Sequence, residues 1–429
     1  MNIAIIGAGF TGLSAAYSLL SSGHKVVVFE KNTKPGGLAM GFKVKGWDWT
    51  LEQHYHHWFT NDSHIINLTK ALGYEVLTYR PKTSVYVDSK SYQLDSLLQV
   101  LKFPRLSFLE RVRMSIGLGL IRYDPFWRPL EEYSIEEILP KLIGQKSYSL
   151  LWRPLLEAKF GKYAKDISLA WFWARVSKRT SSLSYPYGGF LAFAEFFSKK
   201  IIELGGKLYF GCEVSNLSSK KETILTVVNK KGKNYKEKFD AVIVTLPSIF
   251  FIKMAPQLPD SYKNSLLMLK GIGAINLILR LKKQFLRDNI YWLSICQKAP
   301  VLAIIEHTNY MDKKYYNNEH LVYLGNYLSR EHKYFNYTAS QLLKEYDPFL
   351  QKLNSSYKKI VIDLHLFKAT FAQPVYYRNY SKYVPAITTP LKHVYLGNIQ
   401  QVYPWDRGTT YAVELGEKVA NELKKIEMV

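Results

Sequence analysis

The residues with the most explicit chemistry stand near the head of the chain. Gly7, Gly9 and Gly12 fall in the run Gly7-Ala8-Gly9-Phe10-Thr11-Gly12, and a carboxylate, Glu30, follows eighteen residues later. Glycines at this spacing suit a phosphate-binding turn. Gly7 permits a sharp exit from a strand, Gly9 lets the backbone approach a pyrophosphate, and Gly12 lets the next helix pack closely. The helix N-terminus then offers unpaired N–H groups and the positive end of its dipole to phosphates. Glu30 stands where an acid accepts both hydroxyls of an adenosine ribose.

The elements that must position these groups surround them. The apolar run 3–6 predicts a buried parallel strand. Leu13, Ala16, Leu19 and Leu20 give the following helix one apolar stripe, which Gly23 ends, and 26–29 predicts a second strand. Three glycines alone are weak evidence. Strand, turn, helix, strand and acid in this order predict a dinucleotide site.

Beyond Glu30 and Lys31 comes a second glycine pair, in Gly36-Gly37-Leu38-Ala39. The combined run resembles the extended fingerprint of flavoproteins in the amine oxidase, protoporphyrinogen oxidase and phytoene desaturase superfamily. There the paired glycines run beside the ribityl chain and flavin, so the resemblance implies FAD. Those proteins usually carry arginine after the pair, where this chain has Leu38.

His54, His56 and His57 lie within four positions, but without the i, i+4 spacing of metal ligands on a helix. No cysteine or second carboxylate cluster follows, so no metal is expected. The segment Tyr55-His56-His57-Trp58-Phe59-Thr60-Asn61-Asp62 is instead similar to the histidine loop of UDP-galactopyranose mutase. In that family the loop lies against the isoalloxazine, and the matching residue here is His56. A plain structural role for these histidines stays open.

Further along, 83–94 predicts a hairpin turning at 88–90, and 95–180 a helical region with interleaved aromatic and basic residues, as in Phe126-Trp127-Arg128-Pro129 and Trp171-Phe172-Trp173-Ala174-Arg175. Core packing, membrane contact and nucleic-acid binding all use such interleaving. No nucleic-acid recognition fold accompanies it, so nucleic acid is not an expected partner. Residues 97–121, apolar, basic and nearly free of acids, make an anionic membrane surface a candidate partner. Apolar positions at 190, 193, 194, 197, 201 and 204 predict a helix stopped by Gly205-Gly206. A strand over 208–214 should follow, then a hairpin at Gly232 and a buried strand over 239–247. The resemblance puts Val214 against the adenine and Thr245 at a strand end facing the cofactor.

Segments 274–281, 301–305, 321–327 and 359–366 predict the sheet of a substrate domain. Gly271-Ile272-Gly273 lacks a third glycine and a following helix, so it reads as the start of a strand, and no separate NAD(P)H fingerprint is visible. Residues 394–398 predict the last strand of the nucleotide-binding sheet. They end in Gly397-Asn398, where the superfamily has Gly-Asp. A loop carrying Trp405 and Arg407 leads to Gly408, Thr409, Thr410 and Tyr411, which open a final helix. In the superfamily that helix N-terminus meets the flavin pyrimidine edge. His56, Trp405, Arg407 and Tyr411 are the flavin-facing candidates. His56, Arg407 and Tyr411 are the catalytic ones, with no base assigned.

The expected fold class is therefore α/β. A Rossmann-like FAD-binding domain of the GR2 type would be drawn from 1–80, 185–265 and 386–429. A mixed β-sheet substrate domain would take 81–94 and 266–385, and a helical insertion 95–184. Length and composition suit a folded protein with a large core, at 47% apolar and 22% charged residues. The charge, +23 from 58 basic and 35 acidic residues, calls for an acidic partner. Lysine pairs such as Lys220-Lys221, Lys230-Lys231 and Lys282-Lys283 read as solvated loops. Two cysteines far apart, Cys212 and Cys296, exclude a dithiol or zinc centre and read as buried thiols. The chain opens on a strand, with no basic leader and no span of about 18 apolar residues. The expected location is cytoplasmic, including peripheral attachment to the inner face of the membrane.

The resemblance implies an FAD-dependent oxidoreductase that dehydrogenates a large apolar or amphipathic substrate. One alternative is a mutase-like flavoenzyme acting on a nucleotide- or lipid-linked sugar, with Arg153, Arg175, Arg280 and Arg407 as candidates to hold a diphosphate. The other is a membrane-associated FAD-binding scaffold without turnover.

Overall fold

The computed structural model describes residues 1–219 and 223–426. Its first layer is a parallel sheet of five strands in the order Lys207–Phe210, Lys25–Glu30, Asn2–Ile6, Ala241–Val244, Val394–Leu396. The central strands are apolar throughout because both faces are covered, as parallel sheets require. The helix Phe10–Leu20 covers one face together with the last helix, Thr409–Ile426. Their close approach depends on Gly416. A Cβ there would lie 2.4 Å from the Thr11 carbonyl oxygen.

The second layer is a mixed sheet of seven strands, with Gly271–Leu281 between Val361–Pro374 and His320–Leu328. All its neighbouring strands are antiparallel except Ile290–Ile295 beside Lys82–Val87. The hairpin turns at Asp88 and Ser89, both with positive φ. A helical layer from Leu97–Leu101 to Leu169–Lys178 packs beside the large sheet.

Several expectations need correction. The strand read over 208–214 is two strands. Gly211, at φ +68°, turns the chain, so that Lys207–Phe210 stays in the parallel sheet while Glu213–Ser219 starts a three-stranded antiparallel one. The Gly211 and Cys212 N–H groups bond to the Asn32 and Glu30 carbonyls, at 2.8 and 2.9 Å, which fixes the break. Within the expected helical region, which needs no correction, the apolar stretch 97–121 holds two helices, separated around Pro104 and restarted by a capping box of Ser107 and Glu110. The β-rich region also holds a helix, Ala339–Leu353, which buries Leu342, Tyr346, Phe349 and Leu350, and a strand, Ile290–Ile295, that the pattern did not announce. The strand expected over 359–366 begins at Val361, after a 3₁₀ turn, and runs on to Pro374.

Lys230, Lys231, Lys282 and Lys283 are exposed, and both cysteines are buried free thiols. Lys220 and Lys221 lie outside the described residues. Among the described residues no helix is long and apolar enough to cross a membrane.

Candidate functional site

The turn after the first strand is built by contacts that leave no room for side chains. Gly7 has φ +107° and donates to the Phe29 carbonyl at 2.8 Å. A Cβ on Gly12 would lie 2.0 Å from the Gly7 carbonyl oxygen. Gly9 caps the first helix without a side-chain hydrogen bond, so the N–H groups of Phe10, Thr11 and Gly12 have no side-chain cap. Gly36-Gly37 comes up against this turn. The Gly36 N–H donates to the Ala8 carbonyl at 2.9 Å, and a Cβ on Gly37 would lie 3.1 Å from the Gly9 Cα. Leu38 and Ala39 continue in a single 3₁₀ turn.

Glu30 is buried at the end of its strand, where its carboxylate accepts from the Ala8 and Asn32 N–H groups, each at 2.8 Å. Lys31 is exposed and lies 3.5 Å from Glu213, which brings the strand carrying Val214 to this edge. Thr245 ends its strand against the same turn and donates from Oγ1 to the Ile6 carbonyl at 2.8 Å. Gly397 adjoins the last helix; a Cβ there would touch Val419 at 2.7 Å and Thr11 at 3.6 Å.

Asn398 has a structural role of its own. It caps the turn Ile399–Gln401, and its amide donates to the Leu246 carbonyl and the Ser248 hydroxyl, each at 3.2 Å. Its amide thus braces two loops.

The N-terminus of the last helix is held by its own side chains. Thr409 accepts from the Trp58 indole N–H at 2.5 Å, and Thr410 from the Ile65 N–H at 3.3 Å. Tyr411 stacks on Trp405, with centroids 5.5 Å apart and planes within 2°. The exposed Gly408 precedes them.

The three histidines occupy the loop between the short strands Leu51–Glu52 and Trp58–Phe59 and diverge from one another. His54 accepts from Asn276 at 2.5 Å, and His57 meets the Tyr291 hydroxyl at 3.1 Å. His56 donates from Nδ1 to the His54 carbonyl at 2.6 Å, which leaves Nε2 as an acceptor, and its ring lies against Phe190. Burial, aided by Arg407, lowers its pKa to about 4, so it is neutral at pH 7. Among the described residues no group of His, Cys, Asp and Glu is arranged to hold a metal ion.

A chamber-like cluster of charged and aromatic side chains, missed in the sequence, lies where the helical layer, the large sheet and the 403–408 loop meet. Asp406 is its centre. It accepts from the Trp171 indole at 3.1 Å and the Gln373 amide at 3.2 Å, pairs with Arg175, and stands 3.9 Å from Lys159. Burial pushes the Asp406 carboxyl up, but Lys159, Arg175 and the two hydrogen bonds outweigh it and hold the pKa at about 2. The Lys159 side chain is only 11% exposed and lies against the rings of Phe160, Trp171 and Tyr327. Burial holds its ammonium well below the usual lysine range despite Asp406.

Arg407 covers Tyr327 and donates to the Ala372 carbonyl at 3.1 Å. Burial lowers its pKa to about 10, so it stays charged. Lys159 and Arg175 thus share one carboxylate among aromatic rings, with Arg407 beside them. The signal in the sequence was Trp171 and Arg175, at i and i+4 on one helix face. Lys159 and Gln373 gave none.

The four arginines proposed for a diphosphate are not brought together. Arg153 pairs with Glu157 at the surface. Arg280 is committed to Glu319 at 2.7 Å and Asp363 at 3.1 Å. Only Arg175 and Arg407 flank the chamber.

A family model described as flavin containing amine oxidoreductase matches residues 10–398. Curated relatives match locally. A 4,4'-diapophytoene desaturase (4,4'-diaponeurosporene-forming) of Staphylococcus aureus (strain bovine RF122 / ET3-1) is 49% identical over 51 residues, 12% of this chain and 10% of that relative. Its counterpart in Staphylococcus haemolyticus (strain JCSC1435) is 47% identical over 51 residues, again 10% of the relative. The matched stretch therefore spans a tenth of the length of these relatives.

Among solved structures, a putative protoporphyrinogen oxidase from Exiguobacterium sp. 255-15 superposes with a TM-score of 0.76 at 14% identity, covering 100% of this chain and 98% of that one. A reduced UDP-galactopyranose mutase does so at 0.76 and 16%, covering 99% and 96%. At such identities the likeness establishes the fold. The chamber and the glycine turn are thus set in a framework shared by enzymes of different chemistry.

Proposed function

Because the chain belongs to the flavin containing amine oxidoreductase family, we propose that it is an FAD-dependent oxidoreductase that dehydrogenates a large amphipathic substrate whose acidic end is held by Lys159, Arg175 and Arg407. The observation that carries this reading is the imbalance around Asp406. Arg175 pairs with that carboxylate, Lys159 stands 3.9 Å from it, Arg407 lies over Tyr327 beside them without pairing to it, and the surrounding side chains are aromatic. A partly buried guanidinium keeps most of its five donors for a ligand, and a carboxylate or phosphate matches that fork.

The glycine turn fits the cofactor, since its tight packing, in which a Cβ at Gly12 or Gly37 would collide with the Gly7 carbonyl oxygen or the Gly9 Cα, sets an uncapped helix N-terminus beside Glu30. Gly7, Ala8, Gly9, Phe10, Thr11 and Gly12 would hold the phosphates, Glu30 the ribose, and Gly36 to Ala39 the chain toward the flavin. Bound FAD supplies the two-electron acceptor. The helix opening at Thr409 directs its positive dipole end toward the junction with the chamber. His56 presents an unprotonated Nε2, and Trp405 and Tyr411 stack at the helix N-terminus.

Anaerobic mixing tests the reading. Long-chain carboxylates or phosphates should bleach the flavin, and their neutral esters should do so about 10- to 100-fold more slowly, the loss expected for one charge-assisted contact. Equal rates for acid and ester would refute it.

The histidine loop favours one second reading, a mutase-like reaction without net oxidation. It requires a nucleotide sugar to bind only the reduced protein, with binding lost in Arg175→Ala and Arg407→Ala. Binding indifferent to the oxidation state would remove it.

A further inference from the structure

The helix Phe108–Tyr123 is amphipathic in the wrong sense for a surface helix. Met114, Gly117 and Ile121 face inward, and a Cβ on Gly117 would lie 3.0 Å from Ile143, so this helix sits tightly on Ile135–Ile143. The opposite stripe is Leu109, Ile116, Leu120 and Tyr123, spaced seven, four and three residues apart, and it points into solvent. Leu109 is 77% exposed and Tyr123 80%, and Phe126 beyond the helix end is 72% exposed. The adjoining helix Leu97–Leu101 adds exposed Leu97 and Leu98. One continuous stretch of chain therefore presents an apolar surface of a kind that monomers rarely leave bare.

Its charge decides the occupant. Residues 97–130 hold six lysines and arginines against two acids, Glu110 and Asp124. A second copy in a symmetric contact would bring the same basic face against itself, in a chain of formal charge +23. An anionic lipid surface accepts both features, since apolar side chains enter the acyl boundary while the basic ones meet headgroups.

We propose that the face formed by 97–126 seats on the surface of an anionic bilayer. The seat is wired to the chamber. The Arg122 guanidinium donates to the Val176 carbonyl at 2.7 Å, the Ser177 hydroxyl to the Arg122 carbonyl at 3.1 Å, and the Trp173 indole to the Asp124 carbonyl at 2.8 Å. Trp173 in turn meets Trp405, with centroids 5.3 Å apart. A cleft of about 520 Å³, lined by Arg80, Arg122 and Arg179, opens beside Ser96, the cap of the adjoining helix. A docked protein would hold this basic mouth at headgroup level, where an amphipathic acid can leave the lipid.

The test is co-sedimentation of the flavin-loaded full chain with phosphatidylcholine vesicles, with and without phosphatidylglycerol. Pelleting is expected with the anionic vesicles and should fall as salt shortens the Debye length. The variant Leu109→Glu/Leu120→Glu should lose about tenfold or more in partitioning while keeping its flavin absorbance. Phe250→Glu/Met268→Glu, at exposed apolar positions elsewhere, should bind as the wild type does. Pelleting indifferent to lipid charge, or unchanged by the paired glutamates, would overturn the proposal. So would a dimer in sedimentation velocity that the same glutamates split.

Discussion

Replacing Asp406 by asparagine keeps the shape of the side chain and removes the charge that Lys159 and Arg175 face. The carboxyl has a pKa of about 2 in the folded chain against an ordinary 3.8, and the side chain is 18% exposed. That difference corresponds to about 2.5 kcal/mol of stability at pH 7. Because the folded pKa is the lower one, the contribution is complete above the ordinary value and is lost as pH falls through about 2. Near pH 3 roughly half of it remains.

For a chain of this length the unfolding entropy is about 0.9 kcal/mol/K, so Asp406→Asn should lower Tm by about 3 °C at pH 7 and by about half that near pH 3. Thermal melts under saturating FAD, followed by flavin fluorescence, make the measurement. Adding Lys159→Met to the variant should recover part of the loss, since it removes a cation stranded without its partner. A Tm within about 1 °C of the wild type at pH 7, or a deficit equal at both pH values, would refute the charge argument.

Two further substitutions probe other parts of the framework. Glu52 accepts from the Tyr185 hydroxyl and the Phe190 N–H, yet burial raises its pKa to about 7. A raised carboxyl stabilises below its ordinary value of 4.5, and that stability is lost as pH rises toward 7. Glu52→Gln should therefore raise Tm by only about 1 °C near pH 5 and by about 3 to 4 °C near pH 8, and an equal effect at both would count against this. Gly12→Ala should emerge from purification with little flavin, since its Cβ would stand 2.0 Å from the Gly7 carbonyl oxygen. A flavin-to-protein absorbance ratio equal to that of the wild type would show that the turn can yield.

The parallel sheet was legible because its signals are local. Residues 3–6, the glycines and Glu30 lie within thirty positions, and each carries its own conformational meaning. The chamber was not legible. Lys159, Trp171, Gln373 and Asp406 come from four segments, and their significance lies in a shared burial that no window of sequence contains. Lys159 looks like any surface lysine until Trp171 and Tyr327 enclose it.

Asn398 has a role that the sequence did not announce. The resemblance implies a contact to the cofactor, and the structure adds donation from its amide to the Leu246 carbonyl and the Ser248 hydroxyl. The break at Gly211 was missed because residues on both sides of it have the pattern of a strand. Only pairing assigns them to different sheets.

The clasp between the first and last helices bears on how the protein is made. Thr11 and Gly416 touch, and Val394–Leu396 completes the sheet that Asn2–Ile6 begins. At a ribosomal pace of about 5 to 20 residues per second, the glycine turn emerges roughly 20 to 80 s before the strand and helix that enclose it. During that interval the nascent chain has a phosphate-binding turn but no lid over it. A chain cut before Gly416 should therefore purify without flavin, which its absorbance spectrum would show.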